Sequence, residues 1–111
     1  MENRDALRHV IRTAFCKWEK LPRIPSNWKI VSVQEPQSER YTLQQVTFTN
    51  DCYEAQLLSY LEIRNGKIWI LTDNAEEGIA SKLVVAGMSK ESVVLAFYSL
   101  KLRAVGEFAV A

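Results

Sequence analysis

Few residues in this chain have the type and spacing that chemistry needs. Asp73, Glu76 and Glu77 form its one acidic cluster. Carboxylates this close could hold a divalent cation, but a hard cation takes roughly six or more oxygen ligands, and the sequence names no others. As the start of a helix the same residues need nothing else. Asp73 and Asn74 are both good N-caps, each followed three positions later by a glutamate, which is the spacing of a capping box. Capping is therefore the favoured reading. Arg4, Arg8 and Arg12 recur at i, i+4 and i+8 on one helical flank. They form either a solvated helix edge or a contact for phosphate or an acidic partner. Tyr60 and Trp69 could stack a nucleic-acid base. Neighbouring Glu62 would repel phosphate, so an interface between copies of the chain suits this face better. His9 is the only histidine and has neither a ligand set nor a nucleophile beside it. Cys16 and Cys52 have no metal spacing and read as reduced, structural thiols. No nucleophile triad or glycine-rich phosphate loop is present.

The elements that must position these residues centre on 66–87. Asn65-Gly66 is a strong two-residue hairpin signal, because a type I′ turn needs positive φ at both central positions. That loop sets Arg64 opposite Lys67, Ile63 opposite Ile68, Glu62 opposite Trp69, Leu61 opposite Ile70 and Tyr60 opposite Leu71. Strand side chains alternate faces. Leu61, Ile63, Ile68 and Ile70 should therefore be core, while Tyr60, Glu62, Trp69 and Leu71 share a face too apolar for simple exposure. After Asp73 and Asn74, a helix is expected with Glu76 and Glu77 in its first turn, where the helix dipole favours negative charge. Ile79, Ala80, Leu83, Val84 and Ala86 follow at helical spacing, and Gly87 is a natural terminator. Gly78 within that helix would cost about 1 kcal/mol relative to alanine.

The 111 residues favour one domain spanning 1–111. An apolar content of 48% supports a globular core. Fourteen basic against thirteen acidic residues leave net charge near zero, which argues against a strongly electrostatic nucleic-acid binder. No apolar run suits a transmembrane helix, and the N-terminus has no signal-peptide pattern, so a cytoplasmic protein is expected. A first helix capped by Asn3 or Asp5 should run to about Lys20, with Leu7, Val10, Ile11, Ala14, Trp18 and Leu21 on one face. The prolines within 21–26 end it. Strands follow over 28–34, 40–49, 52–64 and 67–72, with a slip in alternation between Leu43 and Val46 that suggests a bulge. Short turns make them an antiparallel meander. A polar link over 88–92 leads to a fifth strand over 93–98. Leu102, Val105, Phe108 and Val110 should dock the tail.

GKIWI at 66–70, EEGIA at 76–80, the LV-x-x-G spacing at 83–87, KESVVLAF at 90–97 and EFAVA at 107–111 resemble the XisI family. These are the fdxN element excision controlling factor proteins of cyanobacteria. The likeness spans most of the chain and is strongest from Gly66 onward. It implies a compact α+β fold and a role in programmed DNA rearrangement in differentiating cells. The recombination chemistry would belong to a separate recombinase, and a companion protein, XisH, would be the partner. It carries over no catalytic residue. This chain departs from the family pattern at Ala75, where threonine is common, and at Tyr60 and Tyr98, where histidine is common. Leu100 and Gly106 stand where proline and threonine are common. Lys67, Trp69, Glu76, Glu77, Gly78, Lys90, Phe97, Arg103, Glu107 and Phe108 keep the pattern. Arg103 and Glu107 are charges in an apolar tail. They either form a structural ion pair or dock a partner.

The resulting expectation is an N-terminal helix, a four-stranded antiparallel meander, a second helix, a fifth strand and a docked C-terminal tail. Functionally it is a non-catalytic accessory factor for excision of a DNA element. It would form a homo-oligomer, contact an XisH-like protein and use no cofactor. Tyr60, Glu62, Trp69, Arg103 and Glu107 are the candidate partner or oligomer contacts. The alternatives are a DNA-binding regulator using Arg4, Arg8 and Arg12, or a metal-dependent enzyme using Glu76 and Glu77.

Overall fold

Leu7, Ile11, Ala14 and Phe15 repeat at helical spacing and are fully buried on one face of helix α1, Arg4–Glu19. This computed structural model describes residues 4–20, 27–75 and 78–111. The cap at Asn3, the continuation to Leu21 and the proline break over 21–26 lie outside those residues. Phe15 belongs to the stripe although the sequence reading omitted it. Val10 and Trp18 pack at its margins.

Four strands follow: β1 (Trp28–Glu35), β2 (Arg40–Thr49), β3 (Cys52–Arg64) and β4 (Lys67–Asp73). They pair in sequence order as antiparallel neighbours, as expected. Asn65 and Gly66 take φ of 52° and 74°, the positive values that the tight turn demands. The same holds for Asn50 and Asp51 at the β2–β3 turn.

Two irregularities shape the sheet. Leu43 pairs with Ser59 and Gln44 with Leu57, so Leu58 is the extra residue. The slip falls at the edge of the anticipated 43–46 window, but the bulged strand is β3. Leu58 turns its carbonyl to the Asn74 amide at 2.6 Å. The second slip lies on β4. Tyr60 pairs with Thr72 and not with Leu71, which is left as the extra residue.

The start of the second helix differs from expectation. Helix α2 spans Ile79–Val85 and has no acidic residue in its first turn. Glu76 and Glu77 precede it and lie outside the described residues. Asp73 ends β4, and Asn74 donates its side-chain amide to the Leu57 carbonyl. Neither is the N-cap residue. The Asp73 carboxylate still caps the helix from a distance, accepting from the Ile79 amide at 2.9 and 3.0 Å. Gly78 is the N-cap, at φ 79°, and a Cβ there would sit 3.3 Å from Asp73 Oδ2. Its lack of a side chain admits both the backbone conformation and the carboxylate. At the other end Gly87, at φ 118°, closes a Schellman motif. Gly87 donates to Val84 O and Met88 to Leu83 O, and Met88 is buried, so 88–92 is not wholly a polar link.

A 3₁₀ turn, Lys90–Ser92, leads into β5, Val93–Leu95, which is shorter than the expected 93–98. It lies parallel to β4, with α2 as the crossover, and completes the sheet order β1-β2-β3-β4-β5. Helix α3, Leu100–Ala104, follows, with Ser99 as its N-cap. The tail docks through Phe108, which packs on the core, and Ala109, which bridges to Val94. Leu102, Val105 and Val110 do not join it and remain exposed. One sheet face holds Leu43, Leu61, Ile63, Ile68 and Ile70 against Leu7, Ile11 and Phe15 of α1 and Ile79 and Leu83 of α2. Among the described residues no helix is long and apolar enough to cross a membrane.

Candidate protein-interaction surface

The alternation that buries Leu61 and Ile63 turns Tyr60, Glu62 and Arg64 to the opposite face of β3. Trp69 on β4 pairs directly with Glu62. The Tyr60 hydroxyl donates to Glu62 Oε2 at 2.9 Å, and Arg64 Nε donates to Glu62 Oε1 at 2.8 Å. The Arg64 guanidinium also lies 5.1 Å from the Trp69 ring centroid, a cation–π contact. Three of the expected contact residues, Tyr60, Glu62 and Trp69, therefore form one cluster, with Arg64 as its unforeseen centre.

The electrostatics follow from those bonds. Partial burial pushes the Glu62 carboxyl up, but the Tyr60 and Arg64 hydrogen bonds and the Arg64 and Arg40 charges outweigh it, holding the group below its ordinary value. The bond to Glu62 and partial burial raise Tyr60. The indole Nε1 of Trp69 is buried with no hydrogen-bond partner among the described residues.

This cluster runs on toward the C-terminal segment. Trp69 pairs with Val94, Val94 bridges to Ala109, and Lys67 Nζ reaches the Ala111 carbonyl. Arg103 donates to the Tyr98 carbonyl at 2.9 Å and to the Val110 carbonyl at 3.1 Å. Glu107 pairs with Lys90 at 2.5 Å, which lowers its carboxyl. Arg103 and Glu107 thus take separate partners and not each other. The chain turns after α3 at Val105 and Gly106, which carries Glu107 to the 3₁₀ turn. Around these ties lie the exposed side chains Phe97, Tyr98, Leu100, Leu102, Val105 and Val110, with Val105 83% accessible. An open, mainly apolar recess of about 520 Å³ lies against α2, lined by Ala80, Val84 and Val85 together with Lys90 and Phe108.

The other candidates are differently placed. Arg4 and Arg12 are exposed, but Arg8 is committed inward. It binds the Tyr41 hydroxyl at 3.2 Å, Asp5 at 3.2 Å and the Glu39 carboxylate. The arginines therefore do not form a uniform stripe. Arg8 clamps α1 to the β1–β2 turn, with Tyr41 buried beneath it. His9 is exposed; Cys16 is half-buried, Cys52 is exposed at the start of β3, and both thiols are free. Cys52 is therefore no core residue. Among the described residues no three His, Cys, Asp or Glu side chains are grouped to hold a metal.

A model of the XisI family, described as XisI protein, matches residues 1–110. The chain belongs to the XisI family. Two solved structures from Anabaena variabilis ATCC 29413 are similar to this family member. An XisI-like protein shares 16% identity at a TM-score of 0.80, covering 95% of this chain and 96% of that one. That likeness is one of fold. The fdxN element excision controlling factor XisI shares 27% identity at a TM-score of 0.73, covering 95% of this chain and 96% of that one. No curated protein matches the sequence.

Sequence reasoning missed Arg64, Glu39 and Tyr41 in this XisI-family chain, and it kept Lys90 as a residue of the family pattern without its pairing to Glu107. Arg64 was legible in principle, because it continues the Tyr60, Glu62 alternation. The Arg8 to Glu39 and Lys90 to Glu107 bonds join residues 31 and 17 positions apart, and no local pattern announces them.

Proposed function

We propose that this XisI-family chain is a control factor for excision of a DNA element and that it acts through protein contacts, with an XisH-like protein as partner. The observation that carries the reading is the 27% identity over 95% of the chain to the fdxN element excision controlling factor XisI. The surface from Tyr60 and Trp69 to the C-terminal segment supports the mode of action. Exposed aromatic and aliphatic side chains gathered at one place favour protein contact. The Glu62–Arg64–Trp69 contacts hold that face in a fixed arrangement, which lowers the entropy cost of binding. The role proposed is non-catalytic and cytoplasmic, and the chemistry of recombination falls to another protein. Direct DNA binding through the arginines is less favoured, because near-neutral charge gives little electrostatic attraction and Arg8 is spent on Glu39 and Tyr41.

Co-expression with an XisH-like protein, followed by affinity capture, tests the proposal. A stable complex is expected, and it should be lost in a Leu100→Asp, Val105→Asp variant that stays folded. Absence of any association with the unsubstituted chain would refute the partner.

A further inference from the structure

We infer that the edge of β1, free among the described residues, pairs with β1 of a second copy, in antiparallel register centred on Ser32. Self-association, expected from sequence at the Tyr60–Trp69 face, is assigned here to the sheet edge.

The hydrogen-bonding phase of β1 sets the register. Phe48 donates to the Asn27 carbonyl at 2.8 Å, one step before the Trp28–Thr47 pair. A bond of that kind marks a closely bonded antiparallel pair, and such pairs alternate along a ladder. Lys29, Val31, Val33 and Glu35 therefore spend their backbone groups on β2. Trp28, Ile30, Ser32 and Gln34 direct theirs to the outer edge, where β1 is the terminal strand. Pairing about Ser32 joins Ile30 to Gln34 of the second copy and Ser32 to its own counterpart. Every outward group from Ile30 to Gln34 then finds an outward group opposite.

The side chains fit the same register. Ile30 packs on the core and Ser32 bonds to Glu19 of α1, so the even positions face inward. The odd positions line the outer face. In this register Lys29 stands opposite Glu35 of the second copy, and Val31 stands opposite Val33 of the second copy. The two-fold repeats both pairs. The result is a row of four valines closed at each end by opposite charges, and directly opposed pairs of these kinds stabilise sheets. It covers Val33, which is 51% exposed in the single chain.

Nothing in β1 discourages such pairing. It runs eight residues with no register shift, and Ile30 to Gln34 carry no charge or proline. The other open ladder, Cys52 to Leu57 of β3, carries Glu54 and ends at the Leu58 bulge. Because pairing leaves the Tyr60–Trp69 face and the C-terminal segment free, the inference stands or falls apart from the proposed partner.

The test is sedimentation equilibrium of the purified full chain from 1 to 100 µM on the order-of-magnitude scale of weak symmetric dimers. A mass twice that of the 12.7 kDa chain is expected at the upper end. Lys29→Glu should weaken the dimer about tenfold, since it opposes two like-charged pairs. Adding Glu35→Lys to that variant should restore it. Gln34→Pro removes an outward amide and should abolish the dimer while circular dichroism stays unchanged. A monomer throughout would overturn the inference. So would a dimer indifferent to Lys29→Glu and Gln34→Pro, or a charge reversal that fails to rescue.

Discussion

At one edge of the sheet β5 is three residues long, and the tail lies against it. Ala109 bridges to Val94 and donates to the Val93 carbonyl at 2.9 Å, while Phe108 anchors the segment on the core. At the other edge β1 is eight residues long, regular, and the last strand on its side. An exposed ladder is a template for another chain. The contrast teaches that this fold closes one edge with its own C-terminus and leaves the other unpaired among the described residues. The closed edge is local in space but not in sequence, since it needs residues on either side of α3.

Several substitutions would break or sharpen that contrast. The largest effect should come from Phe108→Ala, which removes the anchor of the closed edge and should cost about 2–3 kcal/mol in chemical denaturation. If it costs nothing measurable, the tail does not hold that edge. Ala109→Pro deletes the amide that meets Val93 and should cost about 2 kcal/mol. Gln34→Pro on the β1 edge, by contrast, should leave the stability of the monomer nearly unchanged, because that amide points away from β2. Equal losses at the two edges would erase the distinction.

A smaller effect is expected where β4 hands over to the crossover that delivers β5. Burial raises the Asp73 carboxyl above its ordinary value, although the Ile79, Ala75 and Ala80 amides oppose the rise. A carboxyl raised in the folded state contributes stability that is complete below its unfolded value and lost as pH rises through the folded one. Asp73→Ala should cost about 1 kcal/mol at neutral pH through the lost cap. Asp73→Asn keeps an acceptor without the charge and should be no less stable than the parent there. Thermal melts of the two variants separate cap from charge.

The smallest effect concerns the face between the edges. Glu62 is lowered in the folded state, so its contribution is complete above the unfolded carboxylate value and fades as pH falls through the folded one. Glu62→Gln should flatten the acid side of the stability profile. A profile unchanged from the parent would show that the Tyr60–Glu62–Arg64 cluster adds nothing to stability.

Much of the meander was legible because its signals are local. Asn65-Gly66 and Asn50-Asp51 carry their own backbone preferences, and the alternation around Leu61 and Ile63 announces a buried face. The site was legible only in part. Tyr60, Glu62 and Trp69 share a face by register alone, whereas the Arg64 contact with Trp69 depends on how a long side chain lies. Arg103 and Glu107 were recognised as charges needing partners, but their partners, carbonyls at either end of the tail and Lys90, are set by how the chain turns after α3. The helix start was misread because Asp73 reaches across the Gly78 turn, where a capping pattern assumes contiguous residues.

The sequence by itself determined the strands, their antiparallel order through β4, the inward face of α1, the stop at Gly87 and the family. These depend on periodicity, turn chemistry and residue identity, all of which act within a few positions. Only the tertiary structure decided that β5 joins in parallel, that Gly78 and not Asn74 begins α2, that Arg8 serves Glu39 and Tyr41, and that one sheet edge is closed and the other open. Those outcomes follow from contacts between distant segments, whose energies depend on distance and burial in the assembled molecule and leave no periodic trace in the chain.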